Sequence, residues 1–289
     1  MRLRPFLMAA GLFLAVLATS AAAQPLAGRA AGHGCALSLA PEPRRECLAA
    51  ADAAMTDALS AARTRALQAV AGWDGNLNAG DRAEWATSMG EVLDLWLALR
   101  QRLCASQLIG RERRIAAATA ELAALDCRLS IGAVIVADLD HRFAGEGGVP
   151  RASLTGWGRG TNRRDVIAAE GSQPLCRHPG RGGDYQPLTA CYERHVARLD
   201  RELAGLHAAA LAAIAARPGL APAERADWSA QSVAVQELWR SLRDKACAIE
   251  AFETPNRFAN SVYSGVVGPC LVVETEARIR WLRTPYRLQ

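Results

Sequence analysis

Eight cysteines divide this chain into two halves with nearly the same spacing. They are Cys35, Cys47, Cys104, Cys127, Cys176, Cys191, Cys247 and Cys270. The gaps between them are 12, 57 and 23 residues in the first half and 15, 56 and 23 residues in the second. Two matched series of this kind predict an internal duplication.

Other residues align in the same register. Placing Cys104 on Cys247 superimposes four further pairs of identical residues: Arg82 with Arg225, Trp85 with Trp228, Trp96 with Trp239, and Arg100 with Arg243. We therefore assign repeat one to residues 33–140 and repeat two to residues 174–289. Residues 141–173 are rich in Gly and Arg and lack helical periodicity, which predicts a linker.

The N-terminus has the pattern of a secretory signal peptide. Arg2 and Arg4 precede an apolar run, which is followed by three alanines at positions 21–23. This pattern predicts cleavage before Gln24 and removal of residues 1–23. The apolar run is shorter than the ~20 residues that a membrane-spanning helix needs. We expect a periplasmic or secreted protein without a membrane anchor, with an uncleaved anchor as the alternative.

Export to an oxidising compartment favours disulfide bonds for all eight cysteines. The predicted up-and-down helices bring the cysteines to one end of each repeat, where several pairings are sterically open. We favour local bridges within each repeat: Cys35 to Cys47, Cys104 to Cys127, Cys176 to Cys191, and Cys247 to Cys270. A bridge from Cys47 to Cys104 is the main alternative.

Apolar residues recur at steps of three, four or seven in both repeats, which is typical of amphipathic helices. The first helix of repeat one carries Leu48, Met55, Leu59, Ala62, Ala66 and Val70, and the second carries Trp85, Met89, Val92, Trp96, Leu99 and Leu103. Repeat two has equivalent stripes, and the four aligned tryptophans are predicted to be core residues. The fold class predicted is all-α, with two tandem, disulfide-bridged, antiparallel bundles of three or four helices.

Some helix boundaries follow from local residues. Asp81 is expected to open the second helix of repeat one. Its next helix is expected from about Glu112 onward, and Cys127 and Cys270 are expected at the start of the last helix of each repeat.

A set of residues in repeat two resembles a known family. The pattern is W-x-x-x-R-D-x-x-C, a loop, then C-L and T-x-x-R, carried here by Trp239, Arg243, Asp244, Cys247, Cys270, Thr275 and Arg278. It resembles the LprI-type lysozyme-inhibitor-like family of small exported helical domains. The resemblance implies binding and inhibition of lysozyme. Repeat one departs from the pattern, because Gln101, Gly132 and Ile135 replace the Asp, the Thr and the second Arg.

Motifs for catalysis or cofactor binding are missing from the sequence. It contains no G-x-S-x-G, no H-E-x-x-H and no Walker loop. The histidines lack metal-ligand spacing: His33, His141, His178, His195 and His207. We therefore predict a protein that is not an enzyme and that binds no cofactor and no metal. Its arginines are dispersed, which argues against nucleic-acid binding.

Charge argues against lysozyme as the partner of repeat two. Residues 33–140 hold 11 basic and 14 acidic residues, whereas residues 176–289 hold 15 basic and 12 acidic residues. Animal lysozymes are strongly basic, so an inhibitor is expected to present acidic surface. The half that resembles the family has the opposite net charge.

The segment between Cys247 and Cys270 is the candidate partner-binding loop. It carries Phe252, Phe258 and Tyr263 between turn signals, and aromatic residues are frequent anchors at interfaces. Covering the end of the bundle is the alternative role for these rings. Arg243 and Asp244 are further candidates, although a pair that holds the end of the helix in place explains them as well.

The function predicted from the sequence is that of an exported, non-catalytic binding protein of the cell envelope. A lysozyme or another peptidoglycan-active enzyme is the leading partner, which makes the protein a lysozyme or muramidase inhibitor. A structural or stress-related periplasmic protein without a tight ligand is the alternative.

Overall fold

The computed structural model describes residues 34–73, 77–143, 176, 184–253 and 262–286. The predicted signal peptide, residues 1–23, lies outside the described residues, as does nearly all of the predicted linker. Within the described part of the chain there are helices and no strands, which confirms the all-α fold class.

Seven α-helices make up the described residues. Repeat one contains α1 (Pro41–Ala71), α2 (Ala79–Leu103), α3 (Ser106–Arg113) and α4 (Ala117–Phe143). Repeat two contains α5 (Gln186–Ala215), α6 (Pro222–Ile249) and α7 (Gly268–Tyr286). A 3₁₀ turn (Glu250–Glu253) follows α6, and a π-helical turn (Tyr263–Val267) precedes α7.

Side chains cap two of the helix starts. The Asp81 amide donates to Oδ1 of Asn78 at 2.9 Å, so Asn78 caps α2 and the expectation that Asp81 opens the helix was wrong by three residues. In α6 the Glu224 carboxylate accepts from the Ala221 amide at 2.8 Å. Each contact satisfies a backbone donor that the first helical turn leaves without a partner.

The segment after α2 also differs from the expectation of a continuous helix from Glu112. Arg114 adopts a left-handed conformation with φ of 57°, and it ends α3. The Ile115 amide then donates to the Gly110 carbonyl at 3.1 Å, and Ile115 packs against the core. The break therefore places an apolar side chain inward, and Cys127 lies within α4 rather than at its start.

The first helix of each repeat packs mainly against the last helix, α1 on α4 and α5 on α7. The second helices, α2 and α6, pack mainly against each other across the two repeats. They run antiparallel, because Trp85 near the start of α2 stacks on Phe252, which follows the end of α6, while Arg111, which follows α2, pairs with Asp227 near the start of α6. Buried residues from both repeats form one hydrophobic cluster.

Adjacent buried positions explain the contact between the repeats. Val92 and Leu93 of α2 are both buried, as are Val235 and Gln236 of α6. Neighbouring residues on a helix point in different directions, so a helix that buries both has packing partners on more than one side. Two bundles joined by a linker were predicted, and this broad contact between them was not part of that prediction.

Candidate functional site

The family-like residues of repeat two meet in the interior around Arg243. This residue of α6 is 5% exposed. Its guanidinium donates to the Asp200 carboxylate of α5, to the Thr275 hydroxyl of α7 at 2.8 Å, and to its neighbour Asp244 at 2.8 Å. One arginine thus connects all three long helices of repeat two.

A second arginine lies against the same tryptophan. The guanidinium carbons of Arg243 and Arg278 are 5.3 and 5.6 Å from the centre of the Trp239 ring. Arg278 also lies 4.2 Å from the Trp281 ring and donates to the Gln236 side chain at 3.0 Å. Cation–π contacts of this kind hold a charged group beside an apolar core. We call Trp239, Arg243, Thr275 and Arg278 the arginine network.

Negative charges beside Arg243 favour its ionised form. Burial acts to lower the pKa of Arg243, but the hydrogen bond to Asp200 and the negative charges of Asp244 and Asp200 outweigh it, so the pKa is raised above its ordinary value. The guanidinium therefore remains charged, and its buried position depends on these partners.

Repeat one also buries an arginine of its second helix, but this arginine has different partners. Arg100, the counterpart of Arg243, is 2% exposed and donates to Asp52 of α1 at 2.5 Å. Asp52 also accepts from Arg128 at 2.8 Å. Burial lowers the pKa of Arg100, and the positive charge of Arg128 adds to that effect while Asp52 opposes it. An arginine on the second helix thus pairs with an aspartate on the first helix in both repeats.

The exchange of Thr275 for Gly132 changes where the arginine finds its acceptor. In repeat two the Thr275 hydroxyl donates to the Leu271 carbonyl at 2.6 Å and accepts from Arg243. Repeat one has no hydroxyl here, and Nε of Arg100 donates directly to the carbonyl of Arg128, which aligns with Leu271, at 2.8 Å.

Gly132 also makes room for a neighbouring side chain. A Cβ atom at this position would lie 2.5 Å from Cγ of Met55, so any side chain here would require Met55 to move. In repeat one, the apolar side chain of Met55 therefore occupies the space that corresponds to the Thr275 side chain in repeat two.

Replacing Thr275 by valine should destabilise the protein by about 1–3 kcal/mol, because a buried Arg243 donor loses its acceptor while the side-chain shape is kept. Chemical denaturation followed by circular dichroism measures the change. Thr56→Val is the matched control, since the Thr56 hydroxyl is exposed and donates only to the Asp52 carbonyl of its own helix. An equal loss in both variants would contradict the role given to Thr275.

The predicted partner-binding residues have different environments. Asp244 is exposed, whereas Arg243 is buried. Phe252 stacks on Trp85 of repeat one, with ring centres 6.1 Å apart and planes 2° from parallel. Tyr263 is half-buried, and burial together with the nearby carboxylates of Glu193 and Asp200 raises its pKa. Phe258 lies outside the described residues.

The tryptophans predicted as core residues are deeply buried in three of the four cases. Trp85, Trp228 and Trp239 are at most 2% exposed. Trp96 is half-buried and lines a narrow cleft between the repeats, together with Trp239, Leu242, Arg243, Ala246, Cys270 and Glu274.

All eight cysteines are bonded in four local bridges: Cys35 to Cys47, Cys104 to Cys127, Cys176 to Cys191, and Cys247 to Cys270. These are the pairings that we favoured from the spacing. Cys47 is bonded to Cys35, so it is not bridged to Cys104. No bridge joins one repeat to the other.

Two negative findings concern the described residues. They contain no cluster of three His, Cys, Asp or Glu side chains arranged to hold a metal ion. None of the helices in this part of the chain has the length and apolar character needed to cross a membrane.

Sequence reasoning missed two polar partners of the network, Asp200 and Gln236. Asp200 directly follows Leu199 of the apolar stripe, and its position outside the stripe gave no reason to pair it with a residue 43 positions away. Gln236 lies beside buried Val235 on α6. The sequence signal for both residues is a polar side chain directly after an apolar residue of a helix stripe.

Comparison with known proteins gives one match. Residues 176–282 match the model of the family described as lysozyme inhibitor LprI. No curated protein and no solved structure matches the chain. The matched range contains the arginine network and both disulfide bridges of repeat two. Residues 176–282 of this chain are therefore similar to the lysozyme inhibitor LprI family.

Proposed function

We propose that this chain is an exported, non-catalytic binding protein of the cell envelope that inhibits a lysozyme or another peptidoglycan-active enzyme. The observation that supports this function is the match of residues 176–282 to the LprI family. The whole arginine network lies in that range, so the half with the family's sequence also has its motif residues packed together.

We place the contact surface at Tyr263 and Asp244, which are connected through Asp200: it acts on Tyr263 and shares Arg243 with Asp244. Glu193 and Asp200 are close enough to Tyr263 to raise its pKa, and Asp244 is exposed. Repeat two carries a net positive charge, but the groups that act on Tyr263 are the carboxylates of Glu193 and Asp200. Carboxylates beside an aromatic ring suit a basic partner such as lysozyme.

Phe252 is left out of this surface. Its ring is half-buried, and one face of it is already stacked on Trp85 of the same chain. Phe258 stays a candidate from the sequence alone.

Inhibition is tested by adding the purified mature chain to a basic lysozyme and following the clearing of a cell-wall suspension. We expect inhibition that weakens as salt is added, because exposed charges are screened. Tyr263→Ala should weaken binding by roughly thirtyfold, the loss typical of an interface anchor, with nearly unchanged thermal unfolding. Phe258→Ala is tested in the same way.

Two charge variants show whether the surface is specific. Asp244→Asn should weaken inhibition, whereas Asp94→Asn should not. Asp94 is an exposed carboxylate that pairs with Arg63 in repeat one, as Asp244 pairs with Arg243 in repeat two. Equal effects of the two variants would show that overall charge, not this surface, governs binding.

A structural or stress-related envelope protein without a tight ligand is the second candidate. It is favoured by the internal contacts of Arg243, Thr275 and Arg278, which leave the motif without an evident surface role. A pull-down of periplasmic and host muramidases on the mature chain separates the two functions. If no muramidase is retained, the inhibitor proposal is wrong.

A further inference from the structure

Contacts between the two repeats run in both directions. With Cys104 aligned on Cys247, Phe252 takes the place of Ile109, and Trp228 takes the place of Trp85. Phe252 follows α6 and stacks on Trp85 near the start of α2. In the opposite direction, α3 follows α2 and contacts α6, where Arg111 pairs with Asp227 at 2.7 Å.

Both contacts join equivalent parts of the repeats. Asp227 directly precedes Trp228, and Arg111 lies two residues after Ile109. In each case, the segment that follows the second helix of one repeat contacts the first turns of the second helix of the other repeat. Ile109 and Trp228 are both buried in the shared hydrophobic cluster. Exchange of the same surfaces in both directions is the geometry of a two-fold, isologous interface.

Apolar side chains from both repeats line this interface, and no disulfide bond crosses it. Antiparallel α2 and α6 contribute buried side chains to one cluster, and Trp96 of repeat one lines the cleft beside Trp239 and Arg243 of repeat two. All four disulfide bridges lie within a repeat. Within the described residues, the two halves are therefore joined only by noncovalent contacts.

We propose that repeat one is the built-in binding partner of repeat two, and that the chain is a fused pseudo-dimer whose two halves recognise each other through α2, α6 and the segments that follow them. Repeat one retains no Thr275 or Arg278 counterpart but keeps Trp85 and Trp96 at the interface, the counterparts of Trp228 and Trp239, which is expected if its role is to cover this face of repeat two. The inference concerns the pairing of the halves and does not depend on lysozyme binding.

The test uses the full mature chain with a specific protease site placed between residues 158 and 163. After folding and oxidation the chain is cut, and the product is analysed by size-exclusion chromatography without denaturant and without reductant. We expect the two halves to elute together at micromolar concentration. Separation of the halves, each eluting at its own size, would overturn the proposal.

Two variants of the cut protein test the reciprocal contact itself. Phe252→Ala removes the ring that reaches Trp85 from the other repeat, and we expect about tenfold weaker association of the halves. Phe143→Ala is the matched control, because Phe143 lies 6.4 Å from the same Trp85 ring but is the last residue of α4, a helix on the same side of the contact as Trp85. We expect unchanged association in that variant.

The comparison remains decisive if Phe252→Ala does not fold. Phe252→Leu then replaces it, since leucine keeps apolar volume but loses the ring stacking. Equal weakening by the variants at positions 252 and 143 would contradict a specific contact between the halves, whatever the result of the lysozyme assay.

Discussion

Reduction of the four disulfide bridges should unfold this protein at moderate temperature. The bridges join residues 12, 23, 15 and 23 positions apart. In the chain-entropy model, loops of this length contribute about 3 kcal/mol each, so four bridges contribute on the order of 12 kcal/mol. That sum is comparable with the whole stability of a typical native protein, about 5–15 kcal/mol.

Thermal unfolding followed by far-ultraviolet circular dichroism, with and without reductant, measures this effect. Replacing Cys247 and Cys270 together by alanine should lower stability by about 3 kcal/mol and leave the other bridges intact. Reduced protein that melts within a few degrees of the oxidised form would show that helix packing alone holds the fold.

Replacement of Trp239 by alanine should destabilise the protein by about 3–5 kcal/mol. The side chain is 2% exposed, and its removal leaves a cavity at the centre of the arginine network. Arg243 and Arg278 also lose the ring beside which their guanidinium groups lie, which adds to the cost of burying their charges.

Trp96→Ala is the matched control for this prediction, because Trp96 is the aligned residue of repeat one and is only half-buried. Chemical denaturation should show a clearly smaller loss for Trp96→Ala. If both variants lose the same free energy of unfolding, the network contributes nothing beyond the burial of a tryptophan.

The helices and the bridges were largely predictable because they depend on local spacing. Apolar residues at steps of three and four identify a helix face, and the short local separations favoured the four pairings that the structure contains. The break at Arg114 was not predictable in this way. It follows from the packing of Ile115 against a core that the local sequence does not reveal.

The candidate site was predictable only in part. Trp239, Arg243, Thr275 and Arg278 were identified from the resemblance to a family, and the structure brings them together. Asp200 and Gln236 were missed because their partners are 43 and 42 residues away and no periodic signal connects them. Phe252 was predicted as a partner contact, and the structure places its ring on Trp85 of the same chain.

The sequence by itself determined the helical class and favoured the bonds that form within each half, because periodicity and cysteine spacing express short-range constraints. Tertiary structure alone decided that Arg243 is satisfied by three different groups and that α2 packs on α6. The physical reason is that an apolar stripe shows that a helix face is buried but not which partner buries it. Choosing that partner takes the shapes and charges of both surfaces, and these exist only after the helices have formed.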